Sequence, residues 1–123
     1  MKGTILIVDD EKHLLMALKK YLTSEGYDIT TCDNGADGIK EAKQKKYDLV
    51  ITDIKMPEMG GVDVIKNIEK LDAKVKFLII TAYTITGEIT DLIERSKRVH
   101  GYIFKPFEMA HLQEKIEQTL RHQ

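Results

Sequence analysis

Two short stretches decide the fold: Ile5-Leu6-Ile7-Val8-Asp9-Asp10-Glu11 near the start of the chain and Leu49-Val50-Ile51-Thr52-Asp53 near its middle. Each is a short apolar run, rich in β-branched residues, that ends abruptly in carboxylates. Such a run reads as a strand buried on both faces. With the runs at Thr4–Val8 and Leu49–Thr52, others at Asp28–Thr31, Lys76–Ile80 and Gly101–Phe104 bring the expected strands to five. Between them, apolar residues recur at helical spacing. Leu14, Leu15, Leu18, Tyr21 and Leu22 form one stripe, and Gly26 supplies its stop signal. Ala36, Ile39 and Ala42 repeat the pattern weakly. Val64, Ile65, Ile68 and Leu71 repeat it well, as do Ile85, Ile89, Leu92 and Ile93, and Met109, Leu112, Ile116 and Leu120 close the series.

Strands alternating with helices imply an α/β protein whose parallel sheet is covered on both faces, with right-handed crossovers. Asp28-Ile29-Thr30-Thr31 is the most polar of the strand runs and reads as an edge. A second strand at the edge fits a doubly wound, flavodoxin-like, five-stranded parallel sheet of order 2-1-3-4-5 with five helices. Ligands of such sheets bind beyond the carboxyl ends of the strands, where the strand order reverses. Here that point lies between the first and third strands.

Composition narrows the function. The chain has 123 residues, which suits one domain spanning 1–123. Nineteen Lys and Arg oppose 20 Asp and Glu, a net charge of −1, so there is no basic face for direct nucleic-acid binding. The longest apolar runs, Ile5–Val8 and Phe77–Ile80, fall far short of the roughly 20 residues a membrane helix needs. No secretory signal opens the chain, and the lone Cys32 excludes an internal disulfide and any cysteine-based zinc site. His13, His100, His111 and His122 lack metal-ligand spacing and read as surface residues. The expected setting is a reduced cytoplasm.

The polar residues at the strand ends carry the chemistry. The first strand ends in Asp9 and Asp10, the third in Asp53, the fourth in Thr81 and the fifth in Lys105-Pro106. Each has an ordinary reading alone: an Asp N-cap, an Asp before the Met56–Gly61 turn, a strand-end threonine, a surface lysine. Their convergence on one sheet edge is harder to ascribe to coincidence. Three adjacent carboxylates repel one another unless a cation intervenes. Mg²⁺ suits them, since it uses few protein carboxylates and leaves positions for water and phosphate oxygens. A carboxylate can also serve as nucleophile through an aspartyl phosphate, and it is ionised at neutral pH without a general base.

Together, Ile5–Glu11, Asp53-Ile54-Lys55-Met56-Pro57 with Gly61, Thr81-Ala82, and Lys105-Pro106-Phe107 resemble the receiver domain of two-component response regulators over essentially the whole chain. The resemblance implies that Asp53 is the phosphoacceptor, charged by a phosphohistidine on a sensor histidine kinase or a histidine phosphotransfer protein. It implies Mg²⁺ (or Mn²⁺) held by Asp10, Asp53 and the main-chain carbonyl of Lys55, with Asp9 acting through water. Thr81 and Lys105 would contact the phosphoryl group, the Lys105–Pro106 bond would be cis, and Tyr102 would turn inward as Thr81 moves. Phosphorylation would then shift a population toward an active form read at the surface of helix four, strand five and helix five. Such a module is not a turnover enzyme, although it hydrolyses its own phosphoryl group slowly. The implied partners stop at the phosphoryl donor; the output is open, and a phosphorylation-dependent dimer is allowed.

Some positions depart from the family pattern. Gly60 replaces the usual Asp or Asn, Phe104 is bulkier than usual, and the Thr81–Lys105 stretch is about two residues longer than common, with Val99-His100-Gly101 replacing the small-residue turn usual before the fifth strand. Lys55 and Tyr83, each two residues beyond a site residue, border the phosphoryl position and are expected to shield it from water, giving a long-lived phosphorylated state. Alternatives are a receiver-like docking module that is never phosphorylated, and an aspartyl-nucleophile phosphatase. The phosphatase fits poorly, because Glu11-Lys12 follows Asp10 where a second Asp is needed two positions after the nucleophile. A flavodoxin would require a Ser/Thr/Gly-rich phosphate loop where the first strand's acids stand. The chain ends at Arg121-His122-Gln123, directly after the fifth helix, as either a single-domain regulator or a receiver from a longer protein.

Overall fold

A computed structural model of the chain describes residues 2–82 and 87–121. Strands β1 (Thr4–Val8), β2 (Asp28–Cys32), β3 (Leu49–Asp53), β4 (Lys76–Thr81) and β5 (Val99–Phe104) alternate with helices α1 (Lys12–Ser24), α2 (Gly35–Gln44), α3 (Gly61–Leu71), α4 (Gly87–Arg95) and α5 (Met109–Arg121). The strands form one parallel sheet in the order β2-β1-β3-β4-β5. No described helix is long and apolar enough to cross a membrane.

Strand side chains alternate between the two faces, and each set finds a helical layer. Ile5, Ile7, Leu49, Ile51, Leu78, Ile80 and Ile103 pack with Leu15, Leu18 and Leu22 of α1 and Leu112 and Ile116 of α5. Leu6, Val8, Val50, Phe77, Ile79 and Val99 pack with Val64, Ile65 and Ile68 of α3 and Leu92 of α4, while Ile39 and Ala42 of α2 lie against this second cluster. Each Ile or Leu fully buried in this way contributes about 1.5–3 kcal/mol. The two faces explain why Ile5–Val8, Leu49–Ile51 and Phe77–Ile80 are apolar at every position.

Three expectations change. First, Ala36 is exposed, and α2 buries Gly35 and Gly38 instead. A Cβ at Gly38 would stand 2.8 Å from Val8 Cγ2, and one at Gly35 would stand 2.9 Å from Val64 Cγ2, so α2 sits too close to its neighbours for side chains there. Second, Leu71 is 45% exposed, because α3 ends at that residue and Asp72 caps it in extended backbone. Third, β5 starts at Val99, two residues before the expected Gly101. Phe77 pairs with Val99 and Ile79 with Tyr102, so two steps along β4 match three along β5. The extra residue forms a bulge. Gly101, at φ 154°, lies in that irregular stretch. Of the histidines, His13 and His111 are exposed and His100 is half-buried, while His122 lies outside the described residues, as does Ile85 of the fourth stripe.

Candidate functional site

The parallel registers carry the polar strand ends to one edge. Val8 pairs with Thr52, Thr52 with Ile79 and Asp53 with Ile80, which places Asp9, Asp53 and Thr81 at the carboxyl ends of three adjacent strands. All three are buried. Phe104 pairs with Thr81, and the Lys105 amide donates to the Thr81 carbonyl at 2.8 Å, which fixes where Lys105 leaves β5. The Lys105–Pro106 peptide bond is cis.

Backbone amides orient the carboxylates. Glu11 N–H donates to Asp9 Oδ1 at 2.8 Å, and Ile54 N–H donates to Asp53 Oδ1 at 2.7 Å. Beneath Asp53, the Thr52 hydroxyl donates to the Asp53 carbonyl at 2.9 Å. The loop after β3 folds back tightly, with Gly61 N–H donating to the Ile54 carbonyl at 2.8 Å and Glu58 in the left-handed region at φ 66°. A Cβ at Gly61 would lie 2.1 Å from the Asp53 carbonyl oxygen, so only glycine lets α3 start this close to the acceptor strand.

The Lys105 ammonium is the hub. It lies 2.8 Å from Asp9 Oδ2 and 3.1 Å from Asp53 Oδ2, and it donates to Glu11 Oε1. Burial works against its charge, but the carboxylates of Asp9, Glu11 and Asp53 gathered around it outweigh that and hold its pKa above the ordinary lysine value. The Asp9 carboxyl is pushed up, chiefly by burial and further by the Asp53 charge, against the lowering influence of Lys105 and the Glu11 amide.

A cation fits this donor set. Asp9, Asp10 and Asp53 each offer a carboxylate oxygen, and these oxygens all lie within 4.8 Å of one another. Asp9 Oδ2 has the ammonium beside it at ion-pair distance, yet no hydrogen bond is aligned on this buried oxygen. Glu11 is the third carboxylate on the Lys105 ammonium, beside Asp9 and Asp53. Oxygen donors alone favour a hard divalent ion over zinc or copper.

Sequence reading placed Asp9, Asp10, Asp53, Thr81 and Lys105 at one edge, and the fold brings them there. Lys55 is exposed on the loop after Asp53, while Tyr83 lies outside the described residues. Tyr102 is 39% exposed, its ring outside and packed edge-to-face on Phe104 at 5.3 Å between centroids. Glu11 was the residue missed: its place after the acidic pair was visible, but its partner stands 94 residues away. A cavity of about 390 Å³ adjoins the site, lined by Glu11, Leu14, Ala82, Lys105, Pro106, Phe107 and Met109. Cys32, at the end of β2, takes no part; burial, with nearby carboxylates, pushes its thiol up to about 11.

The chain has relatives whose resemblance runs through this site. The response regulator receiver domain model matches residues 5–117. The transcriptional regulatory protein GlrR of Escherichia coli is 35% identical over 117 residues, covering 94% of this chain but 26% of GlrR, so the chain spans about a quarter of that relative. Chemotaxis protein CheY of Bacillus subtilis is 33% identical over 121 residues, covering 98% of this chain and 99% of CheY. The crystal structure of a CheY-like response regulator receiver domain protein from Methanospirillum hungatei superposes with a TM-score of 0.89 at 30% identity, covering 96% of this chain and 93% of that one. The strand order, the buried carboxylates beneath a lysine and the family match all agree: this chain belongs to the response regulator receiver domains of two-component signalling.

Proposed function

We propose that Asp53 is the phosphoacceptor and that the receiver unit spans 1–123. The observation that carries this is the position of the Asp53 carboxylate, fixed by the Ile54 amide on one oxygen and facing the Lys105 ammonium with the other. The donor is a phosphohistidine on a sensor kinase or phosphotransfer protein. An Asp53 carboxylate oxygen forms the new P–O bond as the P–N bond to the donor breaks, and the imidazole takes the electron pair of that bond. Asp10, Asp53 and the Lys55 carbonyl would hold Mg²⁺ or Mn²⁺, with Asp9 acting through water. When bound, such an ion neutralises phosphoryl charge, which is most of what phosphoryl transfer asks of a protein. Lys105 supplies a second positive charge, and Thr81 can donate its hydroxyl to a phosphoryl oxygen. As Thr81 moves toward that oxygen, Tyr102 turns inward and alters the face formed by α4, β5 and α5. The protein is a switch rather than a turnover enzyme. Its output target, and any phosphorylation-dependent dimer, belong to that face.

The test is incubation with Mg²⁺ and acetyl phosphate, followed by intact mass. Wild type should gain one phosphoryl group and Asp53→Asn none. A label that survives in Asp53→Asn overturns the acceptor, and an unlabelled wild type leaves a docking module. Continuous release of phosphate from generic monoesters would instead indicate a phosphatase. The exposed Lys55 side chain, two residues beyond Asp53, is expected to slow attack by water. Lys55→Asn should therefore lose its label about two- to tenfold faster; an unchanged decay removes Lys55 from any role in lifetime. Tyr83 is assigned the same role by its sequence position alone.

A further inference from the structure

Among the described residues Lys105 has three carboxylate partners, and they are not equivalent. Asp9 and Asp53 are buried and belong to the acidic cluster itself. Glu11 approaches from the solvent side, with 59% of its side chain exposed. Its backbone is nevertheless held firmly. Its amide donates to Asp9 Oδ1, and its carbonyl accepts from Leu15 N–H in the first turn of α1. Glu11 is the N-cap of α1, yet its side chain makes no capping hydrogen bond. Helix N-termini favour short side chains that fold back on the first turn. This longer one reaches across to β5's lysine instead.

We propose that Glu11 is a positioning residue that holds Lys105 in the resting form and competes with the phosphoryl group for its ammonium. The inference rests on the reading of Asp53 as phosphoacceptor. A phosphoryl group on Asp53 needs the charge that Glu11 now shares. Glu11 is the one partner free to swing into solvent, so charging Asp53 displaces it. The exposed half of the pair sets a modest effect: exchange of the Glu11 carboxylate for an amide should tighten phosphoryl-group binding about two- to fivefold.

The measurement is binding of beryllium fluoride, a phosphoryl mimic, to the full chain in Mg²⁺ buffer, with the bound form counted by ¹⁹F NMR. Glu11→Gln should bind about two- to fivefold tighter than wild type, and the gain should shrink as salt screens the wild-type pair. Glu11→Asp separates competition from simple repulsion. An aspartate keeps the charge but is short enough to cap α1, so it releases Lys105. Competition therefore predicts that Glu11→Asp also tightens binding. A gain in Glu11→Gln alone overturns the proposal in favour of direct charge repulsion, and no gain in either variant overturns it outright. If wild type fails to bind the mimic, it is the acceptor reading that fails, and this inference with it.

Discussion

Along β1 and β3, Ile5 through Val8 pair with Leu49 through Thr52 without a break, and every one of these residues is buried. Along β4 and β5 the pairing skips a residue, and the outer strand leaves Tyr102 and Phe104 39% and 48% exposed. Both pairs of strands deliver side chains to the same edge. The first pair supplies Asp9 and Asp53 from a seam that has apolar cover on both faces. The second supplies Thr81 and Lys105 from a seam that borders open surface. The difference separates two tasks. Carboxylates that must meet within a few ångströms need a seam that cannot slip, because a shift by one residue would turn every side chain to the other face. A face that must change when the site is charged needs side chains that are not yet committed to the core.

The largest test of this contrast is Gly61→Ala. The added Cβ meets a backbone atom, the Asp53 carbonyl oxygen, rather than the flexible end of a side chain. Either α3 retreats or the acceptor strand moves. The expected loss is about 3 kcal/mol of stability, at the upper end of overpacking costs, measured by urea unfolding. Uptake of phosphoryl from acetyl phosphate should fall with it, since Asp53 itself is displaced. A Gly61→Ala protein of wild-type stability and normal uptake would show that the β3 side is as tolerant as the β5 side, and the contrast would be gone.

The same asymmetry explains what could be read from the chain and what could not. β1, β3 and the polar edge strand β2 were legible because each strand's burial is written in its own residues: apolar throughout for Ile5–Val8, mixed for Asp28–Cys32. The acidic cluster was legible because it lies where those runs stop. The bulge in β5 was not, since it is a mismatch between two strands and neither Phe77–Ile79 nor Val99–Tyr102 shows it alone. Gly35 and Gly38 were hidden for a different reason. Hydrophobic spacing counts side chains, and α2 approaches Val8 and Val64 through the absence of them. The role of Glu11 was invisible because an acidic residue at a helix start is usually solvated, and only the fold brings Lys105 beside it.

The smallest expected effect lies on the outer face of β5. Tyr102 and Phe104 point to the same side, two residues apart, with rings edge-to-face at 70°. Such pairs contribute about 0.5–1.5 kcal/mol beyond area burial, and half-exposed rings belong at the low end. Phe104→Ala should therefore cost about 1 kcal/mol or less, although it removes a whole aromatic ring. A double-mutant cycle with Tyr102→Ala isolates the contact, and the coupling should be about 0.5 kcal/mol. Zero coupling would mean that the two rings merely share a surface and that nothing in Phe104 holds Tyr102 outside. A loss of about 3 kcal/mol from Phe104→Ala alone would place this face with the core, because a half-exposed ring cannot cost that much unless the strand beneath depends on it. The contrast between the seams requires the intermediate result: a coupling strong enough to favour one position of the Tyr102 ring, and weak enough for new contacts at Thr81 to reverse it.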